Sequence, residues 1–476
     1  MTARGLRVGV VGGGLAGITA ALRCADAGLG VVLFEGRARL GGLATSFPRA
    51  YERGELDVDN GQHVFLRCCT SYRGLLSRLG VAGEVRLQDR LDIPVHAPGA
   101  PPARLRRTGL PAPLHLAGAL LRYRHLPLPD RLRLVGAALA LRGVDRTAPA
   151  TDARSFGEWL AAHGQSAPAV ERLWDLVGIA TLNARAERAS LALAATVFQL
   201  GLLTDAAAGD IGWATVPLGR IHGEAALSAL RAAGVDVRTS TKVRRLQPDP
   251  AGWRVQVGSR PEEADPQEAA EEDSLMVDRI VSAVPPTAAE RVLPPEAFAR
   301  APGWAADLGS TPIVNVHVVY DRRVLDAPFV AAVDSPLQWV FDRTEQSGLR
   351  RVFPEGAQYV AVSLSAADDP AVDLAGEPVA RLRERMLPAL AALLPAARDA
   401  RVLDFFVTRE PHATFRGAPG SGALRPGPVA ELPGLFLAGA WTATGWPATM
   451  EGAVRSGESA ADALLATAGA RAGAAA

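Results

Sequence analysis

The sequence predicts an α/β fold whose first unit is a Rossmann-like βαβ motif, and three observations carry that prediction. Val8, Val10 and Val11 form a β-branched run that leads into Gly12, Gly14 and Gly17 at GxGxxG spacing. An apolar, helix-like stretch from Ile18 to Ala27 stops at Gly28, and a second strand-like run, Val31 to Phe34, ends on Glu35. In such a unit the first glycine makes the tight turn, the second lets the backbone approach a pyrophosphate, and the third lets the helix pack on the strand. Leu15 and Ala16 then lie at the helix N-terminus, where free N–H groups and the positive end of the dipole favour a dianion. Glu35 falls where a carboxylate accepts both ribose hydroxyls and repels a 2′-phosphate.

The chain has 476 residues, enough for two or three compact units, and 48% hydrophobic content supports a substantial core. A formal net charge of +1 gives no whole-molecule steering toward nucleic acid, so none is expected as a partner. Lys242 is the only lysine. Cys24, Cys68 and Cys69 are too few and wrongly spaced for a disulfide framework or a zinc site, so no metal is expected and a reducing compartment fits. No basic stretch followed by an apolar one precedes the first strand, which predicts a cytoplasmic protein.

Further along, Leu56 to Leu66 (LDVDNGQHVFL) alternates as a strand and breaks at Asn60-Gly61, where a turn lets the backbone come close to another group. Pro94 to Arg146 is basic and leucine-rich, with pieces LHLAGALL and LRLVGAALAL. Neither reaches the roughly 18 apolar residues of a membrane span; they read either as helices lying at a membrane surface or as ordinary domain helices with solvated arginines. Ser155 to Leu203 reads as mostly helical, with more apolar positions than one face can hold, which fits helices lining a large apolar cavity or plain core packing. VPLGRIHGEAALSALRAAGVDVRTSTKVRRLQ reads as loop, helix and strand, and GWRVQV and DRIVSAVPP add strands. Gly258 to Asp273, acidic and proline-broken, reads as a mobile hairpin insertion. Three more strands are expected at Ile313 to Tyr320, Leu337 to Phe341 and Tyr359 to Ser365. Leu435 to Ala461 reads as a buried strand, a glycine turn and a helix starting near Thr449, and the tail from residue 467 as disordered.

EGRARLGG, with Arg37, Arg39, Gly41 and Gly42, resembles the acid, arginine and Gly-Gly extension of the FAD-dependent amine oxidase and phytoene desaturase superfamily. The resemblance implies FAD, a discontinuous Rossmann-like FAD-binding domain of the glutathione-reductase type, and an α+β substrate domain. On this division residues 1–93, 206–298 and 411–466 bind FAD, 94–205 and 299–410 face the substrate, and 467–476 form the tail. It further implies that Arg37 and Gly42 approach the diphosphate, that Gly61, Gln62 and His63 pass beside the isoalloxazine ring, and that the Val243 backbone binds adenine. Gly439 would face the ribityl phosphate, with Thr449 and Met450 at the pyrimidine edge. One departure is Ala440, where many superfamily members carry Asp after the glycine. No Cys or His lies in the closing motif, so the FAD is expected to be non-covalent.

DNGQHVFLRCCTSYRGLLSRLG, WDLVGIATLNARAERAS, VPLGRIHGEAAL, PIVNVHVVYD, SPLQWVFDR and AGAWTATGWPATMEGAVRSG together resemble the squalene-associated FAD-dependent desaturase group, which includes the hydroxysqualene dehydroxylases. The likeness runs from Arg7 to about Leu465. It implies reductive removal of the hydroxyl of an allylic C30 alcohol to give squalene for hopanoid synthesis. His63 becomes the candidate acid or acid-orienting group, with Asp342 and Arg343 as weaker polar candidates. Trp174, Leu176, Ile179, Leu182, Trp339, Phe341, Trp441 and Trp446 could cradle the hydrophobic isoprenoid, although core packing explains each of them equally. That substrate favours the membrane-surface reading of Pro94 to Arg146. The absence of a second GxGxxG unit implies an external electron donor. The same scaffold also fits a carotenoid or phytoene-type desaturase, an amine oxidase, or a non-catalytic FAD- and lipid-binding protein.

Overall fold

The computed structural model describes residues 5–258, 274–370 and 373–474. Its nucleotide-binding layer grows from short β-branched runs that have no polar face. Val8, Val10, Val31, Val32, Ile280, Val281 and Leu435 are all at most 5% exposed. Strands buried on both faces suit a parallel sheet covered by helices. Five of them pair in parallel in the order Asp236–Arg238, Gly30–Phe34, Arg7–Val11, Arg279–Ser282, Leu435–Leu437. The sheet is therefore drawn from the beginning, middle and end of the chain.

Helix α1 (Leu15–Asp26) leaves the first strand directly from the glycine turn and starts three residues earlier than the expected Ile18, because Gly17 belongs to its first turn. The C-terminal helix (Met450–Ala474) packs across α1. Gly457 permits the contact: a Cβ there would lie 2.3 Å from the Ala16 carbonyl oxygen. The backbone of this helix continues to Ala474, so the expected disorder from residue 467 is replaced by helix.

The second layer is a seven-stranded sheet in the order Val402–Phe415, Ser310–Tyr320, Gln358–Leu364, Trp339–Asp342, Phe329–Ala332, Asp92–His96, Ala103–Arg106. Four of these strands, Val402–Phe415, Phe329–Ala332, Asp92–His96 and Ala103–Arg106, were not expected from the sequence. Ile93 and Val95 are buried in alternation, but Pro94 hides the pattern; the parallel pairing on that side involves only Val95 and His96, so the missing N–H of Pro94 costs no ladder bond there. The expected division between residues 93 and 94 accordingly falls inside a strand.

Helix α2 (Thr70–Arg78) packs against the C-terminal helix, while α3 (Ala117–Leu121), α4 (Leu128–Arg142), α5 (Asp175–Leu182) and α6 (Leu191–Phe198) pack on one another. Wider π-helical turns at Val170–Trp174 and Gln199–Leu203 break the regular spacing next to α5 and α6, as such turns often do beside functional cavities. Residues 259–273, almost all of the expected acidic insertion, lie outside the described residues; the flanking strands Gly252–Gly258 and Ser274–Val277 pair antiparallel.

Candidate active site

The glycine turn separates two kinds of constraint. Gly12 has φ +108°, and a Cβ on it would lie 2.7 Å from the Ala283 carbonyl oxygen; one on Gly17 would lie 1.9 Å from the Gly12 carbonyl oxygen. The protein's own packing demands both. Gly14 is different, since a Cβ there would meet only the Gly42 Cα, at 3.7 Å. The space above Gly14, at the N-terminus of α1, is left free by the protein, and a diphosphate fits it. Gly41 ties this rim down through its N–H, which donates to the Gly13 carbonyl at 2.8 Å. Leu15 and Ala16 are buried in the first helical turn.

At the far end of the cradle the Glu35 carboxylate accepts from the N–H of Gly13 at 2.7 Å and of Arg37 at 2.8 Å. Those bonds fix the carboxylate at the strand end, where a ribose would meet it. The chain after Arg238 runs alongside: Ser240 N–H donates to the Arg37 carbonyl and Thr241 N–H to the Glu35 carbonyl. Val243 is buried beside a register shift in the strand Lys242–Asp249, two residues beyond this contact. From the C-terminal motif, Gly439 (φ +135°) donates its N–H to Ser456 Oγ at 2.8 Å, and Thr449 Oγ1 accepts from Gly452 N–H at the start of the last helix.

Adjoining Gln62, Thr449 and Met450 is an apolar cavity of about 260 Å³. Trp339, Phe341 and Ser363 of the seven-stranded sheet form one wall and residues of α3, α4, α5 and α6 another, with further lining from Val64, Phe65, Leu66, Ile93 and Trp446. The Trp339 indole N–H donates to the Leu176 carbonyl at 3.1 Å, which joins sheet to helices. Glu451 is the only carboxylate among the described residues of the lining. It is fully engaged, by the N–H groups of Ser71 (3.2 Å) and Tyr72 (2.8 Å) and by Arg455 at 2.7 Å. The described residues contain no cluster of His, Cys, Asp and Glu that could hold a metal.

A sequence model for flavin containing amine oxidoreductases matches residues 15–465. The chain belongs to that family. Its cofactor is FAD, and it is an FAD-dependent oxidoreductase. It is 30% identical over 470 residues to a hydroxysqualene dehydroxylase of Rhodopseudomonas palustris, an alignment covering 96% of this chain and 98% of the relative. It is also 24% identical to a probable zeta-carotene desaturase of Synechococcus elongatus, covering 97% and 98%. Among solved structures, an oxidoreductase from Methanosarcina mazei superposes with a TM-score of 0.72 at 15% identity, over 96% of this chain and 100% of the other, which shows the shared fold.

Within this flavin oxidoreductase the sequence-predicted substrate residues divide. Trp174, Trp339, Phe341 and Trp446 line the cavity. Leu182 and Trp441 do not. Leu182 is packed into the core as the last residue of α5, and the Trp441 ring lies 5.4 Å from that of Trp304 with its N–H on the Val284 carbonyl. Leu176 and Ile179 are likewise buried away from the cavity lining.

His63 is not among the residues that line the cavity. It is half-buried and opens on a separate small recess, bounded by Asp342, Arg343 and Trp213 among others, rather than on the apolar cavity. Burial lowers its pKa, reinforced by Arg343 and opposed by Asp59 and a bond to the Leu43 carbonyl. The recess and the cavity share Gln62, Val64 and Phe341 in their linings. Arg343 is held in a buried ion pair with Asp59, which also accepts from Ser46 Oγ and Leu218 N–H. Asp342 is occupied by Thr344 and by Gln358 Nε2 at 2.8 Å. Both are braces of the fold.

Gln62 is one of the polar residues that line the cavity, and its Oε1 is buried without a partner. Arg425 carried no sequence signal, being one arginine among many in a loop. It is 6% exposed, and its guanidinium donates to the carbonyls of Thr442, Trp446 (2.9 Å), Ala440 (3.2 Å) and Trp441 (3.3 Å). Burial lowers its pKa to about 10, which leaves it cationic. It orders the loop containing Ala440, where the expected carboxylate is missing.

Proposed function

We propose that this flavoenzyme reductively removes the hydroxyl of hydroxysqualene, releasing squalene for hopanoid synthesis. The observation that carries the reading is the apolar cavity of about 260 Å³ meeting Gln62, Thr449 and Met450. A C30 isoprenoid alcohol is apolar except at one hydroxyl, and each buried CH₂ contributes about 0.8 kcal/mol of binding. Gly12, Gly14, Gly42, Glu35 and the Val243 segment would hold FAD, which supplies a two-electron donor when reduced. The chain's own contribution is a dry site: water that would recapture an allylic cation is kept out by leucine, phenylalanine and tryptophan side chains. The unpartnered Gln62 Oε1 is suited to accept a hydrogen bond from the substrate hydroxyl. The described residues carry a single glycine-rich nucleotide turn, so the electrons come from an external donor.

An amine substrate is disfavoured because the cavity offers an ammonium no free carboxylate, Glu451 being fully engaged. A desaturase acting in the oxidative direction is the second reading, supported by the likeness to zeta-carotene desaturases. Such lipids reside in bilayers, and we read the protein as working at a membrane surface; no described helix is long and apolar enough to cross one.

Anaerobic mixing of dithionite-reduced enzyme with hydroxysqualene tests the proposal. Squalene and oxidised flavin in equal amounts are expected. Inert reduced enzyme, together with bleaching of oxidised enzyme by phytoene or zeta-carotene, would replace it with the desaturase reading.

A further inference from the structure

Helix α4 is apolar on two opposite sides. Leu134, Ala137 and Leu141 face inward, and Leu134 and Ala138 form part of the cavity wall. Leu128, Leu132, Val135 and Leu139 face outward at spacings of four, three and four residues, so they make one stripe along the helix. These four are 42 to 58% exposed. Leu110, Leu114 and Leu121 extend the apolar surface onto and before α3. Of the eleven large apolar side chains that are exposed among the described residues, seven lie between positions 110 and 139. Scattered exposed leucines need no explanation, but a contiguous patch of them marks an interaction surface.

The surrounding charge identifies the partner. Arg122, Arg124, Arg133 and Arg142 are exposed around the stripe, while Asp130, the only acid in α4, is buried and paired with Arg133. A second copy docked by a two-fold contact would bring these arginines against their own equivalents. An anionic bilayer instead accepts the leucines below its headgroups and the arginines among its phosphates. Leu116 and Leu120, from the same α3 region, line the cavity next to Leu134 and Ala138.

The geometry points to the α3–α4 surface as a bilayer-docking face, through which an isoprenoid passes from the membrane into the cavity without crossing water. This rests on the isoprenoid reading above for what passes, but not for the docking itself.

The test uses the FAD-loaded full chain with phosphatidylglycerol–phosphatidylcholine vesicles. The solvent-exposed triple variant L128Q/L132Q/L139Q should lose about tenfold or more in vesicle affinity. R122Q/R124Q/R142Q should lose a similar factor on anionic vesicles and much less on pure phosphatidylcholine. With hydroxysqualene in detergent micelles, both variants should turn over as wild type does; with hydroxysqualene in vesicles, both should be slowed. Flotation of the leucine variant equal to wild type would overturn the proposal, as would an equal loss of its rate in micelles. So would a wild-type dimer that the leucine changes dissolve, since the stripe would then be covered by a second copy. Wild-type enzyme that floats, loses flotation in the variants and yet leaves hydroxysqualene unchanged would uphold the docking face and defeat the substrate reading.

Discussion

Gly42 stands over Gly14 so closely that a Cβ on Gly42 would lie 3.0 Å from the Gly14 Cα. Gly14 itself has room, and that asymmetry gives the first prediction. Gly14→Val should yield a folded apoprotein whose thermal unfolding matches that of wild-type apoprotein, with the flavin absorbance gone. Gly17→Val should fail to fold, because its Cβ would sit 1.9 Å from a backbone oxygen. A Gly14→Val protein with stoichiometric FAD would remove the diphosphate from this turn.

Acid precipitation should leave the pellet colourless and put FAD in the supernatant. Leu435 to Ala461 contains neither Cys nor His, so no nucleophile is available there for a flavin bond. Flavin retained by the pellet would contradict this.

Gln62 and His63, adjacent in sequence, should behave differently in the proposed reaction. Gln62→Leu removes the hydrogen-bonding side chain on the cavity and should slow single-turnover squalene formation about tenfold, the equivalent of one hydrogen bond. His63→Gln should change it by no more than about twofold, because His63 does not line the cavity. A loss at His63 larger than at Gln62 would restore the histidine as the acid.

Arg425→Met should destabilise by about 3 kcal/mol, because several buried carbonyls lose their donor at once. Faster FAD release should accompany the lower Tm if the Ala440 loop depends on the guanidinium. Arg425→Lys should rescue little, since one ammonium cannot span four carbonyls that the planar fork reaches together.

Asp175, the first residue of α5, has its pKa pushed up to about 7, chiefly by burial, with the Ala186 N–H opposing and Glu187 reinforcing. The folded state therefore holds a proton that the unfolded state has already released. Stability from this group is present at low pH and declines as pH rises from the ordinary carboxylate range to about 7. Wild-type Tm should fall between pH 5 and pH 8 by several degrees more than that of Asp175→Asn, which keeps an oxygen for the Ala186 N–H. Parallel Tm curves would exclude the effect.

The glycine cradle was legible in the sequence because its spacing is a local motif that ends with Glu35 on the next strand, but only Gly17 answers to a neighbour within the turn, the Gly12 carbonyl; Gly12 answers to Ala283 and Gly14 faces Gly42. The cavity was legible only in its composition. Trp446 lines it and Trp441, five residues away, does not; nothing in residue type distinguishes two tryptophans whose partners, Arg455 and Trp304, come from different parts of the chain. Pro94 concealed a strand because the pairing that tolerates it is set by Phe329–Ala332, far along the sequence. Arg425 was invisible for the same reason, since its four carbonyl partners follow it in a loop whose path only the folded structure reveals.

The order of the parallel sheet has a consequence for biosynthesis. The glycine turn is translated well before its neighbouring strand Arg279–Ser282, and Leu435–Leu437 follows later still. The helix that covers α1, fixed through Arg23–Asp462 and the close approach at Gly457, follows every strand of that sheet in the chain. Until then the first helix has a bare apolar face and the sheet an open edge, both of which invite chaperones. The parallel sheet and the cover over α1 are thus complete only once the segments that follow Arg279 have joined the first βαβ unit.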